Sequence, residues 1–315
     1  MRAKSNTTER DRITGLVLGG LGVLGFSMSL PATRIAVGEI DPWVVAFGRA
    51  VGAGLMAWFY LRLTGATRPT PAQWRRLAVV ATGVVVGFPL FTSLALTTQT
   101  AAHGAVVVTV LPAATAVFAV LRAGERPPLM FWIASGAGLA AALVFMVASS
   151  GVTGAAAPTD LFLLAAVVLC GLGYAEGGGL ARELGGARTI CWALVLSLPV
   201  TVPVTAVAAL AHPPRSDTAG WLGFAYLTVV SMFLGFFAWY AGLARGGIAR
   251  IGQIQLAQPV LTLAWSALLL DERVTILAIG ASLLVLACVV LTQRTRGNGP
   301  AADPAHPPAS LTTRT

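Results

Sequence analysis

The chain has 315 residues, of which 56% are apolar and only 10% are charged, with a formal net charge of +9. A soluble domain carries about 25% charged residues, so a water-exposed globular fold is excluded and the chain must be solvated by lipid. The positive balance does not point to nucleic acid, because the basic residues sit at the ends of apolar runs rather than in a patch or stripe.

A helix needs roughly 20 apolar residues to cross the hydrocarbon core, and ten windows of that kind follow one another along the chain. A short N-terminus, residues 1–12, carries Arg2, Lys4, Arg10 and Arg12. The first window, 13–33, follows it; it is longer than the apolar core of a secretory signal and is read as a retained helix. Windows at 43–62, 74–97, 102–122 and 129–149 complete a first group. A linker at 150–158 leads to a second group at 159–181, 189–210, 219–240, 247–270 and 274–293. The runs are continuous rather than alternating, which excludes a β-barrel. Residues 294–315, rich in Pro, Ala and Thr from about Gly297, read as a disordered cytoplasmic tail.

The basic residues fix an orientation. Only Arg34, Arg215 and Arg273 fall on one side of the ten windows, and Arg49 lies inside the second; the other Lys and Arg fall on the opposite side. The loop-side excess of positive charge places that side, and both termini, in the cytoplasm. Trp58, Tyr60, Trp74, Trp132, Trp192, Trp239 and Tyr240 lie near cytoplasmic ends, and Trp43, Trp221 and Trp265 toward outer ends, as interfacial anchors do. Cys170, Cys191 and Cys288 match no metal or disulfide spacing and are expected to be small packed side chains.

Shifting the sequence by 147 lays the fourth window on the ninth. Pro112 meets Pro259, Thr115 meets Thr262, Leu121 meets Leu268, and Glu125-Arg126 meets Glu272-Arg273. The chain holds few glutamates, so the repeated Pro-to-Glu-Arg spacing marks an internal repeat. A unit of five spans is odd, so its two copies must cross the membrane in opposite senses. The expected fold is therefore all-α and integral to the membrane, with ten transmembrane helices as two inverted five-helix repeats at 13–149 and 159–293. Inverted repeats of this kind are a transporter signature.

Three passages carry a resemblance to a known family. They run from Gly25-Phe26 through Pro31-Ala32-Thr33-Arg34 to Asp41-Pro42 and Phe47-Gly48-Arg49, from Leu111-Pro112 to Gly124-Glu125-Arg126, and from Gln258-Pro259 to Asp271-Glu272-Arg273. In these the chain resembles the ten-helix EamA family of the drug/metabolite transporter superfamily, with Leu24 where a Trp is usual and Asp271 where Gly is commoner. The resemblance implies two five-helix bundles, with spans 1–4 and 6–9 around a central cavity and spans 5 and 10 peripheral. It also implies export of amino acids, other metabolites or drugs.

A few polar residues inside the windows are candidates for the work. Arg49 is a charge about six residues into a span, at an insertion cost of about 2.5–3.5 kcal/mol at mid-bilayer; it is read either as a cationic group attracting an anionic substrate or as an anchor for helix-end carbonyls. Glu176 is read as a proton carrier, or as a carboxylate that faces a cytoplasmic vestibule or pairs with Arg182. Gln255 and Gln258, three apart on one face, are read as substrate contacts in the cavity or as interhelical hydrogen-bonders, with Gln253 nearby. Pro112 and Pro259 bend their helices and suit a gating role. Arg34 is expected to reach interfacial water, and His103 to start a helix.

The expected function is secondary active transport of small molecules across the plasma membrane, the bacterial inner membrane, by alternating access, with protons as a possible coupling ion. There is no phosphate loop for ATP drive, and no nucleophile–base or His-Glu-x-x-His set, so neither an enzyme, a metal site nor a cofactor is expected. The alternative is a non-transporting sensor or assembly component. Partners are the substrate and membrane lipid, and no nucleic acid.

Overall fold

The fold comes from a computed structural model that describes residues 2–123, 128–149, 158–246, 251 and 254–297. Every regular element among them is helical. The first apolar window is two helices, α1 (Arg2–Ser27) and α2 (Ser29–Val37), and α1 takes in most of the short N-terminus that precedes the window. Then come α3 (Pro42–Leu63), α4 (Pro71–Val80), a π-helical stretch (Ala81–Gly87) and α5 (Phe88–Ala95). The fourth window is split into α6 (Ala101–Val108) and α7 (Leu111–Ala123), and the fifth is α8 (Leu129–Ser149). The second group has α9 (Pro158–Leu184), α10 (Gly186–Ala211), α11 (Thr218–Tyr226), a second π-helical stretch (Leu227–Leu234) and α12 (Gly235–Gly246). It ends with α13 (Ala257–Leu270) and α14 (Ile276–Gly297). The predicted tail therefore begins as helix, and residues 298–315, like most of the 150–158 linker, lie outside the described residues.

Local sequence sets the helix ends. Asp41 caps α3, accepting from the backbone N–H of Trp43 at 2.9 Å and Val44 at 3.3 Å, with Pro42 in the first turn where its missing N–H costs nothing. Thr70 and Gln73 form a reciprocal capping box on α4, and Thr100 and Asp217 cap α6 and α11. Asp271 ends α13 in the left-handed region at φ 49°, a conformation that glycine adopts most readily. That backbone requirement accounts for the glycine usual at this position in the resembled family.

By length and composition, seven stretches among the described residues can cross a membrane, from Ile13–Val37 to Thr218–Arg245, and Leu129–Phe145, Ala257–Leu270 and Ile276–Leu291 are shorter apolar helices. Large apolar side chains such as Leu63, Leu210, Leu268 and Ile276 face outward. This is the surface of a protein whose solvent is hydrocarbon.

Close crossings use small residues, as expected where lipid supplies no hydrophobic drive between helices. A Cβ on Gly242 of α12 would lie 2.7 Å from the backbone nitrogen of Gly19 in α1, and one on Gly83 would strike the carbonyl of Leu169 in α9. α3 packs along α10, α1 along α12, and α8 mainly against α14. Trp239 sits against Gly22 in the α1–α12 crossing and Tyr240 against Gly177 of α9 and Gly186 of α10, at 2% and 0% exposure. They are core residues and not the interfacial anchors their sequence position suggested, whereas Trp43, Trp58, Trp132 and Trp221 are exposed.

Helix irregularities recur at a constant spacing. The π-helical stretches begin at Ala81 and Leu227, and the breaks before Pro112 and Pro259 fall at Thr109-Val110 and Gln255-Leu256. Each pair is separated by 146 residues.

Candidate functional site: a small cavity between two broken helices

Proline lacks an N–H and its ring clashes with the carbonyl four residues earlier. Pro112 and Pro259 therefore displace the carbonyls of Val108 and Gln255, and the helices restart at Leu111 and Ala257. The two breaks face one another. Thr109, Pro112, Gln255, Gln258, Pro259 and Thr262 line one cavity of about 10 Å³, room for about a single water. Gln255 and Gln258 are buried, and the Gln258 side-chain oxygen has no hydrogen-bond partner among the described residues. Both prolines and both glutamines of the sequence reading lie around this one cavity. Gln253 lies outside the described residues.

The third break, at Met28 between α1 and α2, is held by α13. Thr262 Oγ1 lies 2.7 Å from the Ser27 carbonyl, and Trp265 Nε1 donates to Ser27 Oγ at 3.0 Å. Ser29 and Ser231 hydroxyls meet at 2.7 Å, which ties the same break to the second π-helical stretch. Backbone groups released by irregular turns in lipid must find partners inside the protein, and here polar side chains of other helices supply them.

Charged residues close the molecule at two faces. On the arginine-rich face, Glu176 of α9 accepts from Arg76 Nε of α4 at 2.9 Å and pairs with Arg122 at the end of α7. Arg76 also reaches Glu183 at 2.6 Å, and Gln73 donates to Glu183 at 3.1 Å. Glu176 is only 5% exposed. The sequence offered Arg182 as its partner; the fold brings Arg76 and Arg122 instead, because α4, α7 and α9 end together there.

At the opposite face, the carboxylate of Glu272, just past α13, accepts from the backbone N–H of Ala101 at 2.9 Å and of Ala102 at 2.8 Å. It thereby satisfies two free donors at the start of α6 and meets the positive end of the helix dipole. His103 starts α6 as expected, and its Nε2 lies 2.8 Å from Oδ1 of the fully buried Asp160 at the start of α9. Gln99 donates to the same oxygen at 3.0 Å. Glu39 accepts from Ser216 and from the Asp217 backbone at the start of α11. Arg34 does not simply reach into water; its Nη1 donates to the carbonyls of Leu96 and Thr97 at 2.6 and 2.9 Å.

Arg49 stands apart. It is 2% exposed, and its Nε and Nη2 have no hydrogen-bond partner among the described residues. It does not line the cavity between the prolines. Sequence reasoning missed Asp160 and the roles of Arg76, Arg122 and Glu272. Glu272 had a signal, since it belongs to the repeated Glu-Arg pair, whereas the arginines read only as topology markers.

The fold is helical and multi-pass, with broken helices around a small cavity, and comparison with known proteins gives its class. The model of the EamA-like transporter family matches residues 13–147 and again 157–293. An uncharacterized transporter of Bacillus subtilis, YdeK, is 44% identical over 280 residues, covering 89% of this chain and 97% of its own. An uncharacterized transporter of Archaeoglobus fulgidus is 22% identical, covering 88% and 96%. One crystal structure, 18% identical, superposes with a TM-score of 0.62 over 91% of this chain and 98% of its own, a likeness of fold alone. The chain belongs to the EamA-like transporter family. Its substrate is accordingly a small molecule, and its surroundings are lipid.

Proposed function

We propose that the protein is a secondary active exporter of amino acids, related metabolites or drugs, working by alternating access in the plasma membrane of a bacterium. The reading takes ten spans as two inverted five-helix halves, 13–149 and 159–293, with the arginine-rich face and both termini in the cytoplasm. One observation carries it: a cavity that holds two glutamines and two threonines between two proline-broken helices, related by a 146-residue spacing, lies between charged ties at both faces of the molecule. A cavity of about 10 Å³ is too small for a substrate, so this reading takes the arrangement as an occluded one.

Within it, Gln255 and Gln258 serve as the substrate's hydrogen-bonding groups, and Pro112 and Pro259 as the bends that let the cavity walls move. Arg49 supplies the positive charge that attracts a carboxylate-bearing substrate. Glu176 carries the coupling proton: its protonation would release Arg76 and Arg122 together and free the cytoplasmic ends of α4, α7 and α9.

The test is reconstitution into liposomes, with flux of a panel of amino acids and cationic drugs measured with and without a pH gradient. Transport of at least one class, lost in the Gln255→Ala/Gln258→Ala variant, is the expected result. Absence of flux for every compound under both conditions would overturn the transporter mechanism, and flux indifferent to the pH gradient would remove Glu176 from the coupling role.

A further inference from the structure

On the arginine-rich face, away from the cavity, a groove of about 470 Å³ opens between α3, α4 and α10. Its walls carry Trp58 and Arg62 from α3, Arg68 from the loop that follows, Trp74 from α4 and Trp192 from α10. The Arg62 guanidinium lies over the Trp58 ring, 5.4 Å from its centroid. Trp74 and Trp192 meet edge to face with centroids 5.4 Å apart. Among the described residues no carboxylate pairs with Arg62 or Arg68.

Two exposed guanidiniums without a carboxylate partner and three aromatic walls form a receptor for an anion with an apolar body. We propose that this groove binds the headgroup of an anionic glycerophospholipid, with its phosphodiester between Arg62 and Arg68. Trp58 and Val195 lie about one turn deeper in their helices than Arg62 and Trp192, so acyl chains leaving the phosphate run along apolar side chains into the bilayer. Indoles settle at headgroup level, and basic pockets between membrane helices on the cytoplasmic side hold anionic headgroups. A free phosphate has no acyl chains to hold it there, and a zwitterionic lipid brings a cation toward two arginines. The bound lipid bridges α3 and α4 to α10, helices of the two proposed halves. The assignment rests on the membrane reading and is independent of substrate or direction.

The test uses the full chain purified in neutral detergent, offered equal amounts of phosphatidylglycerol and phosphatidylcholine, with retained lipid counted by native mass spectrometry. The wild type is expected to retain phosphatidylglycerol preferentially. Arg62→Gln and Arg68→Gln should each lower that ratio about fivefold, the effect of one arginine near an anionic surface. The Arg62→Lys/Arg68→Lys variant should keep the preference. Arg68 is exposed in a loop, so its variant tests the site without threatening the fold. A wild type without preference, or a double glutamine variant that retains it, overturns the proposal. Displacement of the lipid by millimolar inorganic phosphate also overturns it, by making the groove a soluble-phosphate site.

Discussion

A guanidinium at 2% exposure with two nitrogens unpartnered asks for an anion, because an unsatisfied buried donor costs about 1–3 kcal/mol and more when charged. If that anion is the substrate carboxylate, Arg49→Gln should raise KM for anionic substrates about tenfold or more, the worth of one charge-assisted hydrogen bond. Arg49→Lys should recover part of the loss. Unchanged KM in a folded Arg49→Gln protein would make the residue structural. Asp271 gives a second prediction at this scale. At φ 49° a β-branched replacement is strained, so Asp271→Val should lower stability by about 1–2 kcal/mol, read as a fall in thermal midpoint, while Asp271→Gly should not. Both residues were conspicuous in the sequence, one as a charge in an apolar run and the other as a departure from a family glycine. Partners were not: Glu176 meets arginines 100 and 54 positions away, and no spacing rule within one helix reaches that far.

Among the elements, the broken helices were the most legible. Pro112 and Pro259 announce their breaks, and the 147-residue shift pairs them before any coordinates are known. The π-helical stretches were half legible. The first, Ala81–Gly87, runs into Pro89, whereas Leu227–Leu234 contains no proline and reads as ordinary helix. Its shape is a tertiary effect, with Ser231 held by Ser29 and Gly235 crowded against Phe26. Proline costs about 3 kcal/mol relative to alanine inside a helix. Pro259→Ala should therefore raise or preserve thermal stability by letting the helix close across Gln255-Leu256. Flux should fall about tenfold if the bend is the moving part. Opposite signs for stability and transport are the signature; a loss of both would mean the bend only packs.

For the whole molecule, the charges that mark a topology in the sequence also make tertiary contacts. Arginines counted as topology signals also close one face through Glu176, and the Glu-Arg pair read as a repeat marker closes the other through the Glu272 cap on α6. If these ties hold the occluded state, removing each should open one side only. Glu272→Ala leaves two helix-start donors unpaired, and Glu176→Ala leaves Arg76 and Arg122 without their shared carboxylate; either loss is worth about 1–3 kcal/mol, enough to shift an open-to-occluded ratio at least fivefold. A cysteine at Thr109, on the cavity wall and 1% exposed, reports the change, since Cys170 and Cys191 are buried and Cys288 can be replaced by Ser. With a membrane-impermeant maleimide, Glu272→Ala should speed labelling of Thr109→Cys in intact cells and leave inside-out vesicles unchanged. Glu176→Ala should do the reverse. If both variants open the cavity to the same side, the two faces are not opposing gates, and alternating access between them fails as the mechanism.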